Sequence, residues 1–243
     1  MPVEFAYAQA RAQAQHGRRL SADTWSLLES SVGLSQFLHH VRGTALAPRV
    51  EHFSATTSPH AIERFLRCEW HDDVESAAHW VPGRWRPAVA WTEKLAELPA
   101  AGHLLDGGEP QAWMTDDPVL SGFAAEDPAS LPASLEAAGY GGGLDAWLRH
   151  WRGLWPDDSK GRDALEQLVS LADRLGIRRG ENDAEDWRNS LERRAVSLLR
   201  RRRDEPVTVF CHLLLCALEL HRLRQGLLRR ALFNDHNRGE ARA

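Results

Sequence analysis

Cysteine is scarce in this sequence, and its few occurrences do not form a disulfide framework. Cys68, Cys211 and Cys216 are an odd number with no framework spacing. Free thiols in a reducing compartment are the simplest interpretation. The first ten residues also lack the basic stretch and following apolar stretch that are typical of a signal peptide. We therefore expect a cytoplasmic protein.

A long uninterrupted apolar run is also missing. The longest candidate covers residues 207–220, contains His212 and Glu219, and is followed by arginines. A membrane-spanning helix needs about 20 consecutive apolar residues. Apolar side chains recur here at spacings of three and four, and Pro206 suits the first turn of a helix. The segment is therefore predicted to be a buried amphipathic helix, and we expect no transmembrane span.

A strong excess of charge of one sign is absent as well, since the formal net charge is −4. The whole chain is therefore not drawn to nucleic acid or anionic lipid, and any basic surface must be local. The clearest basic segment is RRAVSLLRRRR, residues 193–203. Acidic residues before it and basic residues at its end suit a helix dipole. We prefer a structural role for this segment, with a protein partner, nucleic acid or lipid headgroups as alternatives.

No segment alternates polar and apolar residues strongly enough to predict a strand, so the predicted fold class is all-α. We expect multi-helix lobes packed as a compact helical connector. The predicted organisation is an N-terminal helical lobe over residues 1–98 and a C-terminal helical lobe over residues 143–243. Between them, residues 99–142 contain five prolines and several glycines. This middle segment is predicted to be a long loop or weakly structured connector.

Local signals predict where several helices begin. Ser21 and Ser58 are candidate N-cap residues, Pro59 suits the first helical turn, and another helix follows Gly33. The remaining helices are predicted from apolar periodicity. Besides those that follow Ser21 and Gly33, the predicted helices cover residues 3–17, 58–78, 84–98, 144–155, 158–176, 183–203 and 205–230.

Two separated segments carry motifs that point to the same family. The first opens with Tyr7-x-x-Ala10-Arg11, continues with the turn Arg18-Arg19-Leu20-Ser21, and then places Leu34, Leu38, Val41 and Thr44 at helical spacing. The second contains Glu205-Pro206, Leu213 to Leu215, Glu219, Leu223-Arg224, Leu227-Leu228 and Arg230. Together they resemble the C/d family of V-type ATPase connectors, which join the rotary central stalk to the membrane rotor ring. The resemblance covers roughly a third of the chain.

The resemblance implies a non-catalytic peripheral component of a rotary ATPase that supports proton or sodium transport, at the inner face of the membrane. Its partners would be other proteins of the complex, the central stalk and the rotor ring, and we expect no nucleic acid and no cofactor. Arginine and tryptophan suit such contacts because they concentrate contact energy in a small area. The candidate partner-binding residues are Tyr7, Arg11, Arg18, Arg19, Trp80, Trp85, Trp91, Glu219, Arg222 and Arg224.

For each of these arginines a solvated helix face is the competing interpretation, and for each tryptophan it is core packing. The segment around Trp80 to Trp91 does not match the family pattern, and the chain is short for the family. A stand-alone helical adaptor or regulator of another membrane-associated complex is therefore an alternative function.

Catalytic or metal chemistry has little support in the sequence. Cys68, His71, Asp72 and Asp73 lie close together on a predicted helix, but nothing supplies a second clear pair of zinc ligands. An enzyme that uses this cluster is the third hypothesis. The glycine-rich GYGGGLD segment lacks the Lys-Ser/Thr of a phosphate-binding loop and follows no strand. We expect no active site and no metal.

Overall fold

The computed structural model describes residues 4–157, 161–176 and 184–240, and these residues form α-helices and short 3-10 helices without a strand. The predicted all-α class is confirmed. Parts of the helices predicted over 3–17, 158–176 and 183–203 lie outside the described residues. The α-helices are α1 Ala6–His16, α2 Ala22–Glu29, α3 Leu34–Arg42, α4 Pro59–Trp80, α5 Arg86–Ala90, α6 Leu98–Leu105, α7 Ala112–Thr115, α8 Ser121–Ala124, α9 Leu131–Ala137, α10 Gly143–Gly153, α11 Arg162–Gly176, α12 Ala184–Arg201 and α13 Val207–Glu240.

The predicted start signals of α2 and α4 are confirmed at atomic detail. The Ser21 side chain accepts a hydrogen bond from the Thr24 backbone N–H at 3.1 Å. The Ser58 side chain accepts one from the Ala61 N–H at 3.2 Å, with Pro59 in the first turn. Each cap satisfies an N–H group that the helix itself leaves without a partner.

Helix α13 lies at the centre of the molecule and packs against α1, α3, α4, α11 and α12. Its first half is buried almost all round, as expected for a helix that is apolar on every side. The buried residues there are Val207, Thr208, Val209, Phe210, Cys211, His212, Leu213, Leu215, Cys216, Leu218 and Leu220. The predicted buried helix is therefore confirmed. Within the described part of the chain, no helix combines the length and apolar character that crossing a membrane requires.

The prediction of a single helix over residues 84–98 is wrong. The chain instead forms a 3-10 turn Gly83–Trp85, the short α5, and a 3-10 helix Trp91–Ala96. The Trp70 indole donates to the carbonyls of Thr92 and Glu93 at 3.2 and 3.1 Å. The Trp147 indole donates to the Trp91 carbonyl at 3.2 Å. These long-range bonds occupy carbonyls that a continuous α-helix would use within its own turns.

Residues 99–142 contain four short helices rather than a long loop. Pro99 and Pro132 lie in the first turns of α6 and α9, where a missing N–H costs nothing. The side chain of Asp117 accepts from the N–H groups of Val119 and Leu120 at 2.9 and 3.0 Å, as an N-cap residue does. A separate apolar cluster lies beneath these helices, formed by Ala100, Ala101, Leu104, Met114, Leu120, Leu131, Leu135 and Tyr140.

The two predicted lobes share one larger apolar core. Phe5 and Trp85 from the N-terminal part contact each other edge to face, and Trp85 contacts Phe210 of α13 in the same way. Phe210 also meets Trp151 of α10 with ring centroids 5.0 Å apart. The rings therefore link helices from both ends of the sequence across the middle of the fold.

Candidate functional site

A small polar cavity of about 200 Å³ lies where α1, α4 and α13 meet. Its charged side chains are largely removed from water, since those of Arg19, Glu219, Arg49 and Asp73 are 12%, 10%, 18% and 19% exposed. The lining residues are Gln15, His16, Arg19, Arg49, Asp73, Ser76, Trp80, His212, Leu215, Cys216 and Glu219. We refer to these residues and their ion-pair partners as the polar cluster.

Arg49 joins the segment after α3 to α4 within the polar cluster. One terminal nitrogen donates to both oxygens of Asp73 at 2.8 and 2.9 Å, and the other donates to Glu69 at 3.0 Å. Burial opposes the charge of Arg49, but the two carboxylates more than compensate, so the pKa of Arg49 is raised. Burial raises the pKa of Asp73, and Arg49 acts against that shift. Each member of the pair therefore favours the charged form of the other.

Arg19 makes the corresponding link between the turn after α1 and α13. Its guanidinium donates to the Leu215 carbonyl at 2.5 Å and to Glu192 of α12 at 3.0 Å, and it lies 4.0 Å from Glu219. Arg19 and Leu215 are 196 positions apart in sequence. One side chain therefore ties the start of the chain to two helices near its end.

Three buried polar atoms of the cluster have no hydrogen-bond partner: Glu219 Oε1, Arg19 Nε and His16 Nδ1. Burial raises the pKa of Glu219, with Arg19 and Arg49 opposing the shift. Burial also lowers the pKa of His212 to about 4, and nearby arginines add to that effect. His212 is therefore neutral at pH 7, and the cavity has unsatisfied polar capacity beside its ion pairs.

The contacts of the polar cluster connect neighbouring helices to one another. His212 Nε2 lies 3.6 Å from Cys216 Sγ, which resembles a thiol–imidazole pair. However, burial strongly raises the pKa of Cys216, so its thiol stays protonated and is a poor nucleophile. The two arginines instead bind carboxylates and a carbonyl, and these contacts hold helices in fixed relative positions.

A second joint links the two ends of the chain at Arg230 of α13. Its buried guanidinium donates to the carbonyls of Glu29 and Ser31 at 2.7 and 2.9 Å, and packs on the Phe37 ring at 4.4 Å. A cation at the carboxyl end of α2 also suits the helix dipole there. Arg230 belongs to the closing motif and Glu29 lies within the opening segment, so both joints connect the same two segments.

The predicted partner-binding residues occupy very different environments. Tyr7 is 61% exposed. Arg18 is exposed too, and so is Arg11, whose guanidinium lies 5.3 Å from the Trp80 ring centroid. By contrast, Trp80 is only 8% exposed and Trp85 only 1% exposed. Those two tryptophans are therefore part of the core and offer little surface to a partner.

The other predicted residues are engaged within the chain. Arg222 donates to Glu29 at 2.6 Å, and Arg224 donates to both carboxylate oxygens of Glu63 through Nε and Nη2. Trp91 is half-buried and donates to the Trp147 carbonyl at 3.3 Å. Of the ten predicted residues, three line the polar cluster: Arg19, Trp80 and Glu219. Partner binding by any of the ten residues stays a prediction.

The cluster Cys68, His71, Asp72 and Asp73 does not converge on a point. Asp73 faces Arg49, whereas His71 Nε2 lies 2.9 Å from Glu97 Oε1 on the other side of α4. Cys68 and Asp72 are exposed. No group of three or more metal-ligating side chains occurs in the part of the chain that the structure describes.

Sequence reasoning missed Arg49, Glu69 and His212 as members of the polar cluster. Glu69 and Asp73 are one turn apart on α4, which indicates a shared acidic face. Their partner Arg49 lies 24 positions from Asp73 in the 3-10 helix Ala47–Val50, and no local pattern relates the two. His212 could have been noticed as a polar residue inside an apolar helix.

Comparison with known proteins adds no assignment. No protein-family model, curated protein or solved structure matches this chain.

Proposed function

We propose that the chain is a non-catalytic helical connector of a membrane-bound protein complex, of the kind that joins the central stalk of a V-type rotary ATPase to its rotor ring. In this proposal it acts in the cytoplasm, at the inner face of the membrane, and supports ion transport by transmitting force. A connector of this kind must be stiff, and densely packed helices resist deformation.

One observation carries the proposal: the two segments that resemble the family form a single unit in space. Arg19 of the opening motif donates to α13 at Leu215, and Arg230 of the closing motif donates to the end of α2. Thr208 also donates to Gln9 at 2.7 Å in the buried contact between α13 and α1. Residues of the two segments, although far apart in sequence, therefore bind to each other in the folded chain.

The exposed part of α1 and its turn is the best candidate for a partner contact. Tyr7 and Arg18 are both exposed, whereas Ala8 and Ala12 of the same helix are fully buried. An aromatic and an arginine that project from a rigidly anchored helix are typical of residues that dominate binding energy at interfaces. The anchoring by Arg19 limits the entropy that such a contact would cost.

The test is affinity purification of the tagged full chain from native membranes, followed by quantitative mass spectrometry. We expect central-stalk and rotor-ring proteins in stoichiometric amounts. The double variant Tyr7→Ala/Arg18→Gln should reduce their recovery by about tenfold or more, since an interface anchor contributes about 2 kcal/mol.

The matched control is Leu144→Ala/Arg149→Gln on α10, which removes comparable exposed groups elsewhere. Recovery with this variant should equal that of the unmodified chain. Recovery of a different membrane complex would favour the adaptor function and overturn the rotary-connector proposal. If both double variants reduced the recovery of partner proteins equally, the contact could not be assigned to α1.

A further inference from the structure

The carboxyl-terminal half of α12 presents arginines on its outer face. Leu191, Ala195 and Leu199 are buried at spacings of four, so they define the inner face. Arg193, Arg200 and Arg201 are exposed. At about 100° per residue, these three and Ser197 fall within an arc of roughly 100° on the opposite side of the helix. We refer to Arg193, Arg200 and Arg201 as the arginine patch.

The arginine patch surrounds a shallow surface depression of about 510 Å³, which Ser197 and Val196 also line. The patch extends over nine helical positions, and the eight steps between them make about 12 Å at 1.5 Å per residue. A depression of this size fits one or two compact anionic groups. The planar guanidinium is also suited to paired hydrogen bonds with phosphate oxygens.

The acidic residues next to the patch are occupied by other partners. Glu192 also lines the depression, but its carboxylate binds Arg19 at 3.0 Å. Asp204 accepts from the Phe5 N–H at 2.6 Å, and Glu205 lies 3.5 Å from Arg202. Among the described residues, no carboxylate comes within ion-pair distance of the three patch arginines. The positive charge of the patch is therefore not cancelled by its neighbours.

We propose that the arginine patch binds the phosphate groups of anionic phospholipids at a membrane surface. Clusters of basic residues on an amphipathic helix favour such headgroups. The formal net charge of −4 opposes nucleic acid and an anionic bilayer alike, so the choice between them depends on the side chains that line the depression. The patch also has no aromatic side chain on which bases could stack. This inference does not rest on the proposed function, because lipid contact needs no protein partner.

The test is sedimentation of the purified full chain with phosphatidylcholine vesicles, prepared with and without phosphatidylserine. We expect binding to the vesicles that contain phosphatidylserine, weakening as salt is raised. The variant Arg193→Gln/Arg200→Gln/Arg201→Gln should bind these vesicles tenfold to about 100-fold more weakly, since each arginine near the surface contributes roughly fivefold.

The matched control is Arg64→Gln/Arg86→Gln/Arg149→Gln, which removes the same charge from exposed arginines on α4, α5 and α10. Circular dichroism should show the same helicity and thermal transition for both triple variants. Equal binding by the two triple variants would overturn the proposal, because net charge alone would then explain the attraction. It would also be overturned by equal binding to neutral vesicles, or by a single-stranded oligonucleotide that displaces the lipid at lower concentration.

Discussion

At the residue scale, the molecule depends on charged side chains that burial would penalise if they stood alone. Arg49 and Asp73 are each less than one-fifth exposed, at 18% and 19% of their side-chain surface. Removing one partner of such a pair leaves the other charge without compensation, which costs far more than the pair contributes relative to apolar residues. The same reasoning applies to Arg19 between Glu192 and Glu219.

The substitution Arg49→Met should lower the free energy of unfolding by about 3 kcal/mol, because it leaves Asp73 and Glu69 without their cation. Urea denaturation followed by circular dichroism measures the change. The control Arg64→Met, at an exposed position of α4, should change stability by less than about 0.5 kcal/mol. The double variant Arg49→Met/Asp73→Asn should recover part of the loss. A strictly additive double variant would show that the pair is not coupled.

His71 makes stability depend on pH. Its hydrogen bond to the buried Glu97 raises the pKa of His71 more than burial lowers it, and Glu93 and Asp117 add to the rise. A group whose pKa is raised by folding contributes stability below its unfolded pKa of about 6.5, and this is lost as pH rises through the folded pKa. The free-energy difference between the unmodified chain and His71→Gln should therefore be larger at pH 6 than at pH 9. A constant difference across that range would contradict the assignment.

At the element scale, the backbone of α13 packs closely against the side chains of α3. Gly226 is buried where α13 crosses α3, and a Cβ added there would lie 2.5 Å from Cζ of Phe37. Phe37 is fully buried, so its ring has little freedom to move away. Glycine at this position therefore serves helix packing and not a special backbone conformation.

The substitution Gly226→Ala should destabilise the protein by about 1–3 kcal/mol, because overpacking outweighs the better helix propensity of alanine. Gly102→Ala is the matched control, since Gly102 lies within α6 and has open space at its Cβ position. That variant should be more stable by up to about 1 kcal/mol. Thermal denaturation of both variants separates the two effects. Stabilisation by Gly226→Ala would show that Phe37 yields readily.

At the scale of the whole molecule, the fold has one principal core that neither end of the sequence can complete alone. Buried residues from Phe5 to Val89 and from Trp147 to Ala231 belong to the same cluster. The helices near the start therefore expose large apolar faces if α13 is absent. Neither the predicted N-terminal lobe nor the predicted C-terminal lobe is therefore expected to be stable by itself.

A fragment that ends at residue 142 should not fold cooperatively, since it lacks α10 to α13. Heteronuclear NMR of the purified fragment should show narrow amide dispersion. In the full chain, tryptophan fluorescence and far-ultraviolet circular dichroism should report one coincident urea transition, because tryptophans from both sides of residue 142 share the core. Two separated transitions, or a well-dispersed fragment spectrum, would contradict the shared-core description.

How much could be predicted from the sequence depends on the range of the interaction. Ser21 and Ser58 cap their helices through residues three positions away, so their effect is readable locally. The Asp117-Pro118 and Asp127-Pro128 pairs are equally local signals shortly before α8 and α9, but the five prolines of residues 99–142 also favour a loop. The break in residues 84–98 depends on indoles of Trp70 and Trp147, which no local pattern relates to that segment.

The same distinction applies to the polar cluster. Arg19 and Glu219 could be singled out because each lies within a recognisable motif. Arg49 and Glu69 belong to no motif, and only the packing of α4 against α13 and the preceding segment gives them a common environment. Apolar periodicity identifies the buried face of a helix. It does not identify which residue of a distant segment pairs with a polar group on that face.

The central position of α13 also has a consequence for biosynthesis. Arg19 leaves the ribosome 196 residues before its carbonyl partner Leu215. At a translation rate of about 5–20 residues per second, α13 is synthesised on the order of 10 to 40 seconds after the opening helices that it covers. During that interval their apolar faces are open to solvent and to other nascent chains. Production of this protein should therefore depend on chaperones that hold the unfinished chain, and faster translation should raise the yield of folded molecules.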